Sequence, residues 1–255
     1  MDPHRPWFPL PEDRETFTPA SSLPFDYEDR DDAQDQAAQA VFDSEDDAAV
    51  AALQEALSRV YDEELLGVDR ALDTLLAGLA MRGLDQDTLV VFTADHGESI
   101  FDRRNDYGHG GSLKDEQVHV PLVFFHPFLP GALAAPCLTQ TWDVYPTLLE
   151  LLGLPAMTSV WGRSALDVCR GEARSSLYRR VDQLALHFLL VRTRSASAFV
   201  SCEDGERHGH DLSDDPHELE RQTPRHPLVK ELQPSLDAYI EEVVAGQPGV
   251  ACPRG

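Results

Sequence analysis

The chain has 255 residues and a formal net charge of −24 at pH 7, with 45 Asp and Glu against 21 Lys and Arg. So acidic a surface repels nucleic acid and anionic membranes, which excludes partners held through phosphate contacts. The length suits one α/β domain with a small appendage.

Lys114 and Lys230 are the only lysines, so nearly all positive charge is arginine. The acid excess reads as an adaptation to high salt, where counterions screen the self-repulsion of the folded state. The first fifteen residues, MDPHRPWFPLPEDRE, lack the basic start and apolar core of a signal peptide, and no later stretch is long enough to span a bilayer. These features predict a soluble, cytoplasmic chain. Cys137, Cys169, Cys202 and Cys252 are widely spread without a C-x-x-C pair, so reduced, structural cysteines are expected.

Residues 1–45 are rich in Pro, Asp and Glu, which predicts an extended loop at the head of a first domain covering 1–155. From Asp46, Leu53, Leu57, Val60, Tyr61, Leu65, Val68, Leu72, Leu75, Leu76 and Leu79 recur at helical spacing up to Gly83, with Gly67 a candidate break. A short apolar strand follows over Thr88 to Thr93, and a second over Val118 to Phe125. Helix, turn and buried strand make half of a parallel α/β unit. Trp142 to Leu152 predicts a helix closed by Gly153, with Pro146 in its first turn. Residues 156–255 predict a small α+β subdomain: strands over Leu186 to Thr193 and Ala198 to Cys202, then a helix from Pro227 to Val244.

The first strand ends on Asp95-His96-Gly97-Glu98, an acid and an imidazole at the carboxyl end of a strand, where open α/β sheets hold ligands. Gly97 permits close backbone approach, and Glu98 can orient an imidazole. The competing reading is a solvated strand terminus. His109 lies between Gly108 and Gly110, where a ring titrating near neutral pH suits anion contact or proton donation to a leaving oxygen. His4 is held between Pro3 and Pro6 ahead of Trp7, a rigid presentation suited to an active-site loop, against which stands a frayed terminus. His119 falls within the second predicted strand and reads as structural, while His208 and His210 read as a solvated loop.

Thr93-Ala94-Asp95-His96-Gly97-Glu98, then Gly108-His109-Gly110, then Asp115-Glu116 leading to Val120-Pro121-Leu122, resembles the C-terminal half of the sulfatase family in the alkaline phosphatase superfamily. In order with them stand Asp2-Pro3-His4-Arg5-Pro6-Trp7, the Val68-Asp69 helix, Asp143-Val144-Tyr145-Pro146-Thr147 and Asp211-Leu212-Ser213-Asp214-Asp215-Pro216-His217-Glu218. The resemblance implies part of an alkaline-phosphatase-like parallel sheet flanked by helices, and hydrolysis of sulfate esters at one divalent ion, usually Ca2+. It places Asp95 and His96 as metal ligands; an imidazole where an Asn is common also suits Mn2+ or Zn2+. It places His4 and His109 at the sulfate oxygens or the departing alkoxide, with Lys114 a further candidate for sulfate contact.

The departure from the family is equally specific. Sulfatases make a formylglycine nucleophile from Cys or Ser in Cys/Ser-x-Pro/Ala-x-Arg, beside two metal-binding aspartates, and neither feature is found in this chain. The expectation is therefore a partial sulfatase, inactive alone, whose formylglycine belongs to a missing N-terminal half, either upstream or separately encoded. Two alternatives remain. One is a phosphodiesterase, phosphonate hydrolase or phosphoethanolamine transferase of the same superfamily, and the other is a non-catalytic remnant or binding module.

Overall fold

The acidic run expected to be extended contains a helix. A computed structural model of the chain describes residues 3–26, 33–44, 46–129, 137–157, 162–171, 176–182, 185–246 and 252, and in it Ala33–Phe42 forms α1. Gln34 and Ala38 are buried one turn apart, and Ala37, Val41 and Phe42 pack against the same core, a helical stripe hidden within a polar composition. Composition alone therefore missed it. The chain divides into two compact units, Met1–Gly131 and Ala132–Gly255, an earlier division than the boundary expected at 155.

In the first unit α2 (Asp47–Met81) runs unbroken through Gly67. Asp46 caps its start, its carboxylate accepting from the N–H groups of Ala48 and Ala49 at 2.9 and 3.2 Å. Gly83, at φ +66°, ends it: its N–H reaches the Ala80 carbonyl, and the Leu84 N–H reaches that of Leu79. The buried positions, Val50, Leu53, Ala56, Leu57, Val60, Glu63 and Glu64, all lie in the first half. Trp7, fully buried, fills the core against this half with Leu53, Leu57, Val60 and Phe101, its ring edge-on to Tyr61 and Tyr107.

Carboxylates on α2 hold the N-terminal stretch along it. Glu63 accepts from the N–H groups of Phe17 and Thr18, at 2.9 and 3.2 Å, and Glu64 accepts from that of Phe8 at 3.4 Å. Asp13 receives the Arg70 guanidinium on both oxygens, and that hydrogen bonding, only partly opposed by burial, holds its carboxyl below the ordinary aspartate value.

Beyond α2, β1 (Val90–Thr93) pairs antiparallel with β4 (Leu122–Phe125), Val90 opposite Phe125 and Thr93 opposite Leu122. Between them β2 (Ser99–Ile100) and β3 (Tyr107–Gly108) form a second antiparallel pair, followed by the short helix α3 (Asp115–Val118). The α/β class holds, but the sheet detail differs from the expected parallel arrangement, since every pairing among the described residues is antiparallel. A parallel partner for β1 needs a strand before the α2 crossover, and the described residues there hold only a 3-10 turn and α1. Phe92, Val123 and Phe125 consequently remain exposed on β1 and β4. His119 closes α3 and is exposed, rather than lying inside a strand.

The second unit begins with α4 (Val144–Leu151), Pro146 in its first turn, and α5 (Ala165–Gly171). Four antiparallel strands follow in the order β5 (Ser176–Asp182), β6 (Ala185–Arg192), β7 (Ala196–Ser201) and β8 (Arg207–Asp211). Helix α6 (Pro227–Gly246) covers the sheet, joining Val229, Leu232, Leu236, Tyr239 and Ile240 to Leu189, Val191, Ala198 and Val200. His208 and His210 are not in a solvated loop. They lie on β8 and are buried, His210 Nδ1 standing 3.1 Å from the Ser197 hydroxyl, which also donates to Glu218. Burying an imidazole requires such partners, and they come from distant sequence.

The cysteines also depart from expectation, forming the disulfides Cys137–Cys169 and Cys202–Cys252 and leaving none free. The separations of 32 and 50 residues follow no recognisable spacing. Alkylation of the denatured, unreduced chain followed by mass measurement is expected to find no reactive thiol, with all four appearing after reduction. Reduction should also cost about 2–4 kcal/mol of stability per bridge. A chain that alkylates fully without reductant would contradict the pairing.

Candidate active site

The segment after β1 packs against α3, and β3 packs against Arg5 of the N-terminal stretch, because two glycines leave room that a side chain would take. A Cβ on Gly97 would sit 2.1 Å from the Glu116 carbonyl oxygen, and the Gly97 N–H donates to the Gln117 carbonyl at 2.9 Å. Gly108, at φ +89°, lies against Arg5, whose Nε would be 2.6 Å from an added Cβ. Buried Gln117 ties the region together: its amide N–H groups reach Ser99 Oγ at 2.8 Å and Asp106 at 3.3 Å, and its oxygen accepts from the Ser112 N–H. Arg103 adds an ion pair to Glu116.

On the N-terminal side, Trp7 sets the position of His4. The Trp7 N–H donates to Gln34 Oε1 at 2.9 Å, and Gln34 Nε2 donates to the Trp7 carbonyl at 2.7 Å. Arg5 pairs with Asp35 at 2.8 Å and lies 5.1 Å from the centre of the Tyr107 ring. Burial drives the Tyr107 hydroxyl well above the ordinary tyrosine range, so it stays neutral beneath that guanidinium.

The result is a cluster of three imidazoles drawn from three segments. His96 and His109 stack with centroids 4.1 Å apart, and His4 lies edge-on to both, at 6.3 and 4.8 Å. In each ring Nδ1 faces an oxygen: Arg5 O at 2.6 Å for His4, Gly97 O at 2.9 Å for His96 and Glu98 Oε1 at 2.9 Å for His109. A backbone carbonyl only accepts, so Nδ1 of His4 and of His96 carries the proton in these contacts, and Nε2 of those rings is left to bind a ligand or, in a protonated ring, to donate.

Asp95 completes the group. Its side chain is 75% exposed, and Oδ2 lies 4.0 Å from His96 Nε2. Burial works to raise its carboxyl, but donation from the backbone N–H groups of His96 and Asp95 itself, with the nearby imidazoles, holds it below the ordinary value. A carboxylate kept ionised beside an Nε2 at that separation fits two ligands of one cation, whose bonds run about 2.0–2.6 Å. Among the described residues no three His, Cys, Asp or Glu side chains are placed to hold one metal ion together, so the pair fits part of a coordination shell.

The structure thus brings together His4, Asp95, His96 and His109. Lys114 stands apart in role: it precedes α3, and its charge bears on Asp106. Glu98, only 5% exposed, engages His109. Gln34 and Gln117, and the anchoring role of Trp7, escaped the sequence reading because they depend on partners remote in sequence.

A sequence model of the sulfatase family matches residues 2–154, and the chain belongs to that family. Arylsulfatase K of Rattus norvegicus is 32% identical over 100 residues, which are 39% of this chain and 17% of the relative. The structure of BT4656 in complex with its substrate D-glucosamine-2-N,6-O-disulfate superposes with a TM-score of 0.60 and 20% identity, covering 83% of this chain and 45% of that one. Phosphonate monoester hydrolase of Agrobacterium radiobacter superposes at 0.58 with 22% identity, covering 76% and 42%. The fold is shared with these structures, and the chain spans less than half the length of each.

Removing either Asp95 or His96 should weaken binding of Ca2+ or Mn2+ to the chain by at least about tenfold, a loss on the scale seen when support of a metal site is removed. Calorimetric titration of Asp95→Ala and His96→Ala checks this; metal affinity unchanged in both variants would take the pair out of the site.

Proposed function

We propose that the chain carries the metal- and sulfate-handling part of a sulfatase that hydrolyses sulfate esters. The observation that carries this reading is the gathering of three imidazole rings, one from the N-terminal stretch and two from the segments after β1 and β3, with Asp95 beside His96. In their protonated forms His4 and His109 present hydrogen-bond donors to a tetrahedral anion and meet charge as it moves onto the leaving oxygen.

Asp95 and His96 would hold the divalent ion, Ca2+ or, given the imidazole, Mn2+ or Zn2+, which when bound supplies fixed positive charge to the sulfate oxygens. His4 and His109 would contact the sulfate and serve the leaving group. In a protonated ring the Nε2–H bond breaks as an O–H bond forms on the departing alkoxide, leaving a neutral imidazole that keeps its Nδ1 proton. Lys114 remains a candidate for longer-range attraction of the anion.

The nucleophile must come from elsewhere. All four cysteines are bonded, so no thiol of this chain is available for conversion to formylglycine. Upstream sequence of a longer polypeptide, or a separately encoded half, would supply it together with the remaining metal ligands, and the chain alone would be inactive. The bare faces of β1 and β4 support a missing neighbour, since Val123 and Phe125 are about half exposed there. The two disulfides favour an oxidising compartment over the cytoplasm expected from sequence. No helix among the described residues is long and apolar enough to cross a membrane.

A second reading, hydrolysis of phosphonate or phosphate esters, is favoured by the likeness to phosphonate monoester hydrolase. One assay series separates the two: the chain alone, and the chain joined to or mixed with a segment carrying paired aspartates and formylglycine, each offered an aryl sulfate and an aryl phosphonate. Sulfate release only by the completed protein, falling about 10²–10⁴-fold in His109→Ala, is expected. Preference for the phosphonate would favour the second reading, and full sulfatase turnover by the chain alone would overturn the partial-site account.

A further inference from the structure

We infer that Glu98 is a positioning residue for His109, fixing its tautomer and ring orientation so that Nε2 is the atom turned to the ligand. The inference rests on the reading of His109 as a sulfate-contacting group. It starts from the ladder between β2 and β3, in which Ile100 faces Tyr107 and Ser99 faces Gly108. One step further along that register, Glu98 faces His109. Cross-strand neighbours on one face come within side-chain reach, and here Glu98 Oε1 lies 2.9 Å from His109 Nδ1.

The ring has little else to hold it from its own segment. Gly108 and Gly110 flank His109 at φ +89° and +77°, contributing no side chains, and the ring itself is 26% exposed. The Glu98 side chain is 5% exposed, so bulk water competes poorly for its oxygen. An imidazole presents two inequivalent nitrogens, and the group that binds one decides which is left to act. A buried carboxylate at Nδ1 decides it in favour of Nε2. Stacking on His96 then sets the plane in which that atom faces the cluster.

The test uses the full chain labelled with 15N in histidine, with tautomers read from long-range 1H–15N correlations above the imidazole titration range. His109→Asn assigns the signals, and the buried rings His208 and His210 of the second unit serve as internal references. The expected result is a single Nδ1–H form of His109 in the natural protein. In Glu98→Gln the charge-assisted bond becomes a neutral one of about half the strength, and the Nδ1–H to Nε2–H ratio should fall about tenfold. A His109 that is Nε2–H in the natural protein would overturn the inference even if the variant fails to fold, and so would an unchanged ratio in a folded Glu98→Gln. Inorganic sulfate added to a second sample held below the imidazole titration range, where Nε2 of His109 carries a proton, tests the functional reading separately: a fixed tautomer in the first sample with no response of His109 to sulfate in the second would uphold the positioning role and count against the anion site.

Discussion

The Gln34 carboxamide holds the Trp7 backbone from both sides, and the placement of His4 depends on that clasp. Burying an indole removes about 150–250 Å2 from water, worth roughly 4–6 kcal/mol at 25 cal/mol per Å2. Ordering the four residues from Pro3 to Pro6 costs about 1–2 kcal/mol each, so the two terms nearly cancel. Hydrogen bonds of about 1 kcal/mol therefore decide the outcome, and the two from Gln34 are assisted further along by those into Glu63. A terminus that would otherwise fray becomes one wall of the site because α1 offers an amide at the right turn.

The other wall depends on glycine and register. Gly97 lets α3 approach the end of β1, and Gly108 makes room for Arg5, which links the two walls through Asp35 and Tyr107. Three imidazoles then meet with each Nδ1 already engaged. The chemistry of the cluster is thereby directed to Nε2, beside a carboxylate whose backbone hydrogen bonds keep it ionised. The proposed ligand pair is incomplete by itself, in keeping with a chain matching under half of each compared structure.

The candidate residues that the structure brings together stand out in sequence because each signal is local. Asp95, His96 and Glu98 follow directly on a short apolar strand, His109 sits in its own glycine frame, and His4 is framed by prolines. Long-range satisfaction was not legible. The α1 stripe lies in a run of Ala, Gln and Asp whose composition resembles a linker, and nothing near Gln34 announces Trp7 as its partner. Strand β8 reads Arg-His-Gly-His-Asp, a loop by composition, yet it pairs with β7, and Ser197, itself bonded to Glu218, meets the buried His210 ring. The disulfide partners likewise become evident only once the chain has folded.

The central claim is that His4, from the N-terminal segment, shares a site with His109. Proton–proton Overhauser effects between the two rings in the full chain test it most directly. At a centroid separation of 4.8 Å, cross-peaks are predicted in the natural protein and should vanish in Trp7→Ala, with the second unit's signals unchanged. Well-resolved ring signals from both histidines without a cross-peak in the natural protein, or a cross-peak that persists in Trp7→Ala, would contradict the account.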